Sequence, residues 1–411
     1  MTASLQNSSS FAAPAAGSCS NHQWPSPGRS ATLAPALAAV AGPRSAGRND
    51  DQAAAPVVAG EVDPVAGHGF QLGGQPRYAP RISGGVPAGA CFKVWDVRDV
   101  RLLPKAHLHV HLESTVRPET VRELGGPPEP DGAFANFREF ADQRARVREL
   151  LRTAGHFRRI AVEFCEDEAA QGTRYVEVTF TAASHGERVG APEMPLEAVL
   201  DGLAEGATRY GIASRVLLDH SRRRPVERLW RTFKLATRYD GVIGMGLAGD
   251  ESYPLAPFAE VFDAARDAGL HLVHHAGEAA GAASIREALD LGHTERLGHG
   301  IRVLDDDALV AEVRSRGIPL EVCPTSNVLL GLVPSLAAHP LPRLRAAGLA
   351  VTINTDGETA LAAEYVRLRE VFGYGDAELA ELARASIDAS FAPEPLKAEL
   401  RAGVDAWLAV P

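Results

Sequence analysis

The stretch LPKAHLHVHLESTVRPET, from Leu103 to Thr120, decides how the rest of the chain is interpreted. A short run in which apolar residues alternate with His107, His109 and His111 is followed by Glu113. Side chains alternate along a strand, so His109 and His111 point the same way. The pattern is typical of either a polar strand edge or one half of a metal site.

Seven similar runs follow this one. The eight runs are KAHLHVHL, TRYVEVTF, ASRVLLDH, GVIGMGLAG, LHLVHHAGE, ERLGHG, IPLEVCPTSN and AVTINTDGE. Amphipathic stretches such as PLAPFAEVFDAARDAG and DDALVAEVRSRG lie between several of them and close on glycine, as helices often do. Strands that alternate with helices over short connections are typical of parallel βαβ units, and eight predict a (β/α)8 TIM-type barrel. A doubly wound open sheet is the alternative, but no G-x-G-x-x-G opens its first helix.

The chain divides into two unequal parts. Residues 1–95 are rich in Ala, Pro, Ser and Gly and contain few large apolar residues. Such a segment cannot bury enough surface to offset its ordering entropy, which predicts a disordered extension. Its alternatives are a tether that recruits a partner, an inert extension, or a start codon placed too far upstream. Residues 96–411 are predicted to form the barrel domain.

Composition excludes several classes of protein. A formal net charge of -10 argues against nucleic-acid binding, which depends on Lys and Arg neutralising phosphates. No apolar run approaches the roughly 18 to 20 residues of a membrane span, and the N-terminus lacks the basic start of a secretion signal. The cysteines, Cys19, Cys91, Cys165 and Cys323, form no C-x-x-C pair. We therefore expect a cytoplasmic protein with a small-molecule partner and no membrane or nucleic-acid partner.

Polar residues fall at the ends of the predicted strands, where barrels of this kind carry their chemistry. They are His109 and His111 in the first run, His275 and Glu278 in the fifth, His299 in the sixth, Asn327 in the seventh and Asp356 in the eighth. A lone histidine at a strand end is more often a structural residue than a ligand. Burying so many ionisable groups unpaired would be costly, however, and a divalent cation would remove that cost. The set therefore predicts a metal site.

The motifs HVHLE, LAGDE, HAGE, GHG, EVCPTSN and NTD, in this order, resemble those of the adenosine deaminase family of the amidohydrolase superfamily. The resemblance extends from about Leu103 to Val410. The paired H-x-E and P-C-x-x-C signature of the other zinc deaminases is absent, because the chain contains no P-C-x-x-C. The resemblance implies hydrolytic deamination of adenosine and 2′-deoxyadenosine, an aminopurine nucleoside substrate, in purine salvage. It also implies one catalytic Zn²⁺ per subunit.

The resemblance assigns a role to each matching position. The implied zinc ligands are His109, His111, His275 and Asp356. Glu278, His299 and Asp356 are the implied catalytic residues: Glu278 gives a proton to the purine ring, while His299 and Asp356 orient the attacking hydroxide and accept its proton. To do this, Glu278 needs a pKa raised by desolvation. The implied substrate-binding residues are His111, Glu113 and Gly249, with Glu113 near the ribose. His107 and His274 match no ligand position.

Two departures from the family pattern concern the substrate. Gly357 replaces a second aspartate that bonds the imidazole side of the purine, a loss worth ~1–3 kcal/mol, and Glu358 is a possible substitute. HLEST places Glu113 and Ser114 where relatives acting on adenosine tend to read H-L-D-G. Alternative substrates are therefore adenine or a tailed adenosine such as aminodeoxyfutalosine, and a catalytically silent purine-binding relative is a third possibility. The run Arg222–Arg224 is expected to be a solvated helix start, with an anion on a substrate tail as its alternative.

Overall fold

The computed structural model describes residues 97–127, 145–357 and 359–410. The predicted disordered extension, residues 1–95, lies outside these ranges and stays a prediction. Glu358, the possible substitute for the missing aspartate, also lies outside the described residues.

Eight parallel strands form one sheet in which chain order and spatial order coincide. The strands are β1 (Lys105–His111), β2 (Thr173–Phe180), β3 (Ala213–Ser221), β4 (Val242–Ala248), β5 (His271–Ala276), β6 (Arg296–His299), β7 (Leu320–Val322) and β8 (Val351–Ile353). Each strand pairs in parallel with the next. A doubly wound sheet would reverse its order partway. The sequential order therefore confirms the predicted (β/α)8 barrel.

Helices follow the strands in the described part of the chain. They are α1 (Pro118–Glu123), α2 (Ala154–Ala170), α3 (Ala182–Val189), α4 (Met194–Tyr210), α5 (Val226–Ala236), α6 (Ala259–Asp267), α7 (Ala282–Asp290), α8 (Asp307–Arg316), α9 (Pro324–Leu329), α10 (Leu341–Ala346), α11 (Leu361–Phe372), α12 (Asp376–Ala389) and α13 (Glu394–Ala409). The predicted stretch DDALVAEVRSRG forms α8, which begins where the Asp306 side chain accepts the Leu309 N–H. Within the described ranges, no helix has both the length and the apolar character needed to cross a membrane.

A side chain closes the barrel between β8 and β1. Asn354 follows β8, and its Oδ1 accepts the N–H groups of Leu108 and His109 at 2.9 and 3.0 Å. The Asp356 N–H then donates to the His109 carbonyl at 3.1 Å. The closure therefore fixes His109 and Asp356 relative to each other.

A buried ion triad lies inside the barrel instead of a purely apolar layer. Arg296, at the start of β6, donates from Nε to Glu321 at 2.6 Å and from a terminal nitrogen to Glu177 at 2.5 Å. All three side chains are at most 1 % exposed. Buried charges are tolerated when they are paired and hydrogen-bonded in this way. The triad holds Glu321 directly beneath His109, to which its other carboxylate oxygen is bonded at 2.8 Å.

We predict that Asn354→Leu lowers the free energy of unfolding by about 2 kcal/mol or more, because two buried N–H groups lose their acceptor. Urea denaturation of the two proteins measures this difference. Asn354→Asp keeps an acceptor oxygen and is the matched control, which should lose less. Equal stability of the Leu variant and the unaltered protein would show that the side chain does not hold the closure.

Candidate active site and metal centre

Four side chains converge where β1, β5 and β8 end. His275 Nε2 lies 3.1 Å from both His109 Nε2 and His111 Nε2. Asp356 Oδ1 lies 3.6 Å from His109 Nε2 and 3.3 Å from His111 Nε2. The structure thus brings together the four residues predicted from the sequence as metal ligands.

Three of these four groups are hydrogen-bonded on the side away from the cluster. His109 Nδ1 donates to Glu321, and His275 Nδ1 donates to the Leu247 carbonyl at 3.1 Å. His111 Nδ1 faces Asp219 at 3.8 Å, and the second oxygen of Asp356 accepts the Ser326 hydroxyl at 2.8 Å. Because a carbonyl or carboxylate can only accept, the neutral rings of His109 and His275 carry their proton on Nδ1. Their Nε2 lone pairs therefore face one another.

This arrangement fits a divalent metal ion. Lone pairs 3.1 Å apart repel unless a cation lies between them. A tetrahedral zinc site with bonds of roughly 2.0–2.1 Å has ligand atoms roughly 3.3 Å apart, close to the distances seen here. Burial lowers the pKa of His109, but its bonds to Asp356 and Glu321 outweigh this and raise it to about 10. The centre therefore favours a positive charge, which is either the second proton of a His109 imidazolium or a metal ion bound by the neutral ring. These residues could therefore hold a metal ion.

Two further predicted residues border this centre. His299 Nε2 and Glu278 Oε1 lie 3.6 Å apart, and neither atom has a hydrogen-bond partner among the described residues. Burial, together with the carboxylates of Asp356 and Glu251, raises the pKa of Glu278 to about 8. This shift agrees with the expected desolvation of Glu278, which keeps the carboxyl protonated at neutral pH. His299 also offers a nitrogen within the same cluster as His109, His275 and Asp356.

The site therefore combines a cation centre with a neutral carboxylic acid, the parts that a metal-dependent hydrolase requires. The family model described as "Adenosine deaminase" matches residues 104–407, most of the chain. This chain belongs to the adenosine deaminase family. It is a metal-dependent hydrolase that acts on the amine of an adenine-like or adenosine-like purine.

Relatives of this deaminase carry several substrate names. A putative adenosine/adenine deaminase of Streptomyces coelicolor is 37% identical over 343 residues, which cover 76% of this chain and 98% of the relative. An adenine deaminase of Sinorhizobium medicae is 37% identical over 322 residues, which cover 74% of this chain and 98% of the relative. An aminodeoxyfutalosine deaminase of Streptomyces coelicolor is 34% identical over 391 residues, covering 88% and 98%.

Solved structures have the same fold. The adenine deaminase of Arthrobacter aurescens is 31% identical, with a TM-score of 0.71 over 75% of this chain and 99% of that protein. An amidohydrolase of Burkholderia ambifaria with bound Zn is 26% identical. Its TM-score is 0.67 over 76% of this chain and 94% of that protein.

The deaminase positions Glu278 through a residue to which sequence analysis assigned no role. The Glu251 carboxylate accepts the N–H groups of Gly277, Glu278 and Ala279 at 2.8–2.9 Å. It also accepts the Ser284 hydroxyl at 2.5 Å. Four bonds to one buried carboxylate hold the loop that carries Glu278.

Three other supporting residues were missed: Glu321 and Ser326, which hold metal-site side chains, and Asp219, which faces His111. A sequence signal was present for Glu321, which is a charge within the apolar run IPLEVC, and for Glu251, which lies in LAGDE.

The predicted substrate-binding residues differ in their surroundings. Gly249 is exposed at the end of β4 with φ +86°, a conformation that suits glycine and leaves its backbone open to a ligand. Glu113 is only 5 % exposed. Its Oε1 accepts the Thr181 N–H at 3.0 Å and lies 3.1 Å from His185 Nε2. The carboxylate expected near a ribose is thus bonded to the protein itself.

The two histidines expected to be non-ligands lie outside the metal cluster. His274 accepts the Leu247 N–H and donates to the Gly292 carbonyl, so both ring nitrogens are used. His107 lies with Nδ1 3.1 Å from Glu168 and Nε2 3.1 Å from the Thr355 hydroxyl. The pairing of β1 is irregular between His107 and Val110, which explains why His107 does not join its two alternate neighbours.

The three arginines of the run Arg222–Arg224 differ in their exposure to solvent. Arg223 and Arg224 are exposed just before α5, as expected of a solvated helix start. Arg222 is 3 % exposed, and its guanidinium donates to the carbonyls of His275 and Tyr253 at 2.8 and 3.1 Å. For Arg222 the expectation of a solvated position was therefore wrong, because this side chain supports the strand end that carries His275.

The two departures from the family pattern meet in space. Gly357 has φ +100°, and a Cβ built on it would lie 2.5 Å from the Ser114 Cβ and 3.1 Å from the His111 carbonyl oxygen. Real Cβ atoms do not approach so closely. Ser114 therefore occupies the space that a side chain at residue 357 would need.

We predict that Gly357→Ala destabilises the protein in two separable ways, by backbone strain and by contact with Ser114. Strain of this kind costs about 1–3 kcal/mol, and Ser114→Gly should remove only the contact. In urea denaturation, the two changes should couple by about 1 kcal/mol or more. Gly125→Ala is the matched control, since Gly125 has φ +79° and a Cβ added there would meet nothing within 4 Å. If the effects of the two substitutions on the free energy of unfolding were simply additive, the prediction would be contradicted.

Proposed function

We propose that this protein uses zinc to deaminate free adenine hydrolytically, giving the 6-oxo purine and ammonia. Glu278 lies 3.6 Å from His299, whose nitrogen belongs to the same cluster as His109, His275 and Asp356. This proximity carries the reaction type, because it pairs a proton donor with a cation centre. Three imidazoles and a carboxylate suit zinc. The bound Zn of the Burkholderia ambifaria relative supports this choice.

Adenine replaces adenosine as the leading substrate for two reasons. Relatives covered almost completely by this chain are named adenine deaminases or adenosine/adenine deaminases. In addition, Glu113 is buried against Thr181 and His185, so the predicted contact to a ribose lacks its carboxylate. A free base needs no such contact.

Different residues of the chain have separate roles in the proposed deamination. When bound, zinc lowers the pKa of a coordinated water from 15.7 to about 7 and so provides a nucleophile at neutral pH. Glu278, protonated in its partly buried position, donates to the ring nitrogen beside the amino-bearing carbon and so makes that carbon electrophilic. Asp356 and His299 hold the nucleophile on the opposite side. Gly249 offers its backbone N–H to the purine edge.

A tailed adenosine such as aminodeoxyfutalosine is the second candidate. The relative named for that activity aligns over 88% of this chain. This share exceeds the part that follows residue 96, so the alignment includes some of the N-terminal extension. The adenine and adenosine/adenine deaminases above align over only 74–76%. The tail of such a substrate is a group that residues outside the barrel could bind.

We predict that Glu278→Gln keeps zinc at one ion per chain but lowers kcat by about 10²-fold or more, because the amide cannot transfer the proton. Ammonia release and metal analysis on the same samples measure the two effects. Glu260→Gln, on the solvent side of α6, is the matched control and should change neither. Undiminished turnover by the Glu278 variant would remove the proton-donor role.

We also predict that, among adenine, adenosine, 2′-deoxyadenosine and aminodeoxyfutalosine, adenine gives the highest kcat/KM for ammonia release. A higher value for aminodeoxyfutalosine would establish the second candidate. A higher value for adenosine would show that the ribose is recognised without the Glu113 carboxylate. If the zinc-loaded protein released ammonia from none of the four, the proposed reaction would be wrong and a silent purine-binding protein would become the better description.

A further inference from the structure

A line of buried polar groups approaches His299 from the side away from the metal cluster. The Leu341 N–H lies 3.1 Å from His339 Nδ1. His339 Nε2 lies 3.1 Å from Asn327 Oδ1, and Asn327 Nδ2 lies 3.3 Å from His299 Nδ1. All three side chains are at most 3 % exposed. None of these contacts is used by the metal ligands.

The direction of every bond in this line follows from its first member. A backbone N–H can only donate, so His339 Nδ1 must accept and the ring proton lies on Nε2. Burial lowers the pKa of His339 to about 4, which keeps this ring neutral. Its Nε2–H then donates to the carbonyl oxygen of Asn327, and the opposite orientation of that amide would place two donors face to face.

The same assignment of donors and acceptors determines the proton position on His299. With its oxygen held by His339, Asn327 presents its NH₂ group to His299 Nδ1, which must accept. The proton of the neutral His299 ring therefore lies on Nε2, the nitrogen 3.6 Å from Glu278 Oε1. His299 thus enters the site as a donor.

We propose that Asn327 and His339 are positioning residues that hold His299 in the tautomer with Nε2 protonated. This inference rests on the proposed function for its effect on turnover. His299 then donates a hydrogen bond to the attacking oxygen, and Asp356 alone accepts the proton of the nucleophile. The family resemblance gave His299 and Asp356 the same role, whereas the tautomer separates them.

The tautomer is measured directly by ¹⁵N NMR of the zinc-loaded full-length protein labelled at the histidine ring nitrogens. His299→Gln identifies the signals of His299. We expect a protonated Nε2 and a bare Nδ1. A protonated Nδ1 on His299 overturns the inference. Because no substrate is present, this result is independent of whether any purine is deaminated.

Variants test whether the tautomer matters for turnover. In Asn327→Asp the carboxylate can only accept, so His299 should move its proton to Nδ1, and kcat should fall by about 10²-fold with zinc content unchanged and KM within about threefold. His339→Leu removes the donor that orients Asn327 and should lower kcat in the same way. His339→Gln keeps an N–H donor and should retain more activity than His339→Leu.

A control separates orientation of the amide from loosening of the loop. The Ser335 hydroxyl accepts the Ala338 N–H in the loop that carries His339. Ser335→Ala therefore loosens this loop without touching the bonds to His299, and it should keep the original kcat and tautomer. Equal losses in Ser335→Ala and His339→Leu, or an Asn327→Asp variant with unchanged kcat, would overturn the inference. Absence of turnover in the unaltered protein, with Nε2 of His299 protonated, would instead count against the proposed function alone.

Discussion

The structure depends on holding three imidazole nitrogens and one carboxylate oxygen around one centre, where four of the distances between them are 3.1–3.6 Å. Such groups repel one another without a cation, so each must be held from outside the cluster. The Glu321 carboxylate and the Leu247 carbonyl set the rings of His109 and His275, and Ser326 sets Asp356. The barrel supplies these supports because consecutive parallel strands end at the same rim. Metal affinity is thus largely a property of the fold around the ligands.

Backbone geometry at the rim shows where the fold accommodates function. His299 and Asp356 both have φ +63°, a left-handed conformation that is uncommon for residues other than glycine. His299 ends β6 and Asp356 follows Asn354 and Thr355 after β8, and both are held by neighbouring side chains. The bonds from Asn327 and Ser326 stabilise side chains whose backbone conformation is locally unfavourable. In the described chain, two of the three non-glycine residues with positive φ thus lie at the candidate metal centre, and the third is His293.

Glu278 and the residues that depart from the family pattern lie on different loops. Glu278 is fixed by Glu251, a carboxylate bonded to three successive N–H groups, and this support does not involve the substrate-facing positions. Ser114 and Gly357 meet on the other side of the site, where a larger side chain at residue 357 has no room. Residues 113, 114 and 357 can therefore differ between relatives without altering the support of Glu278. This separation is consistent with relatives that share a family but differ in the named amine.

Residue periodicity predicted eight parallel strands and favoured the barrel over a doubly wound sheet, and the polar strand ends indicated a metal site. The individual ligands came from the family resemblance, and the structure brings them together. The tertiary structure alone decided the rest. Glu113 is buried by Thr181 and His185, and Arg222 supports His275 from inside the protein, although neither partner is close in sequence. Sequence shows which residue types are present, but hydrogen-bond direction and available space depend on neighbours that only folding brings together. For that reason, the roles of Asn327 and His339 and the contact between Ser114 and Gly357 could be inferred only from the structure.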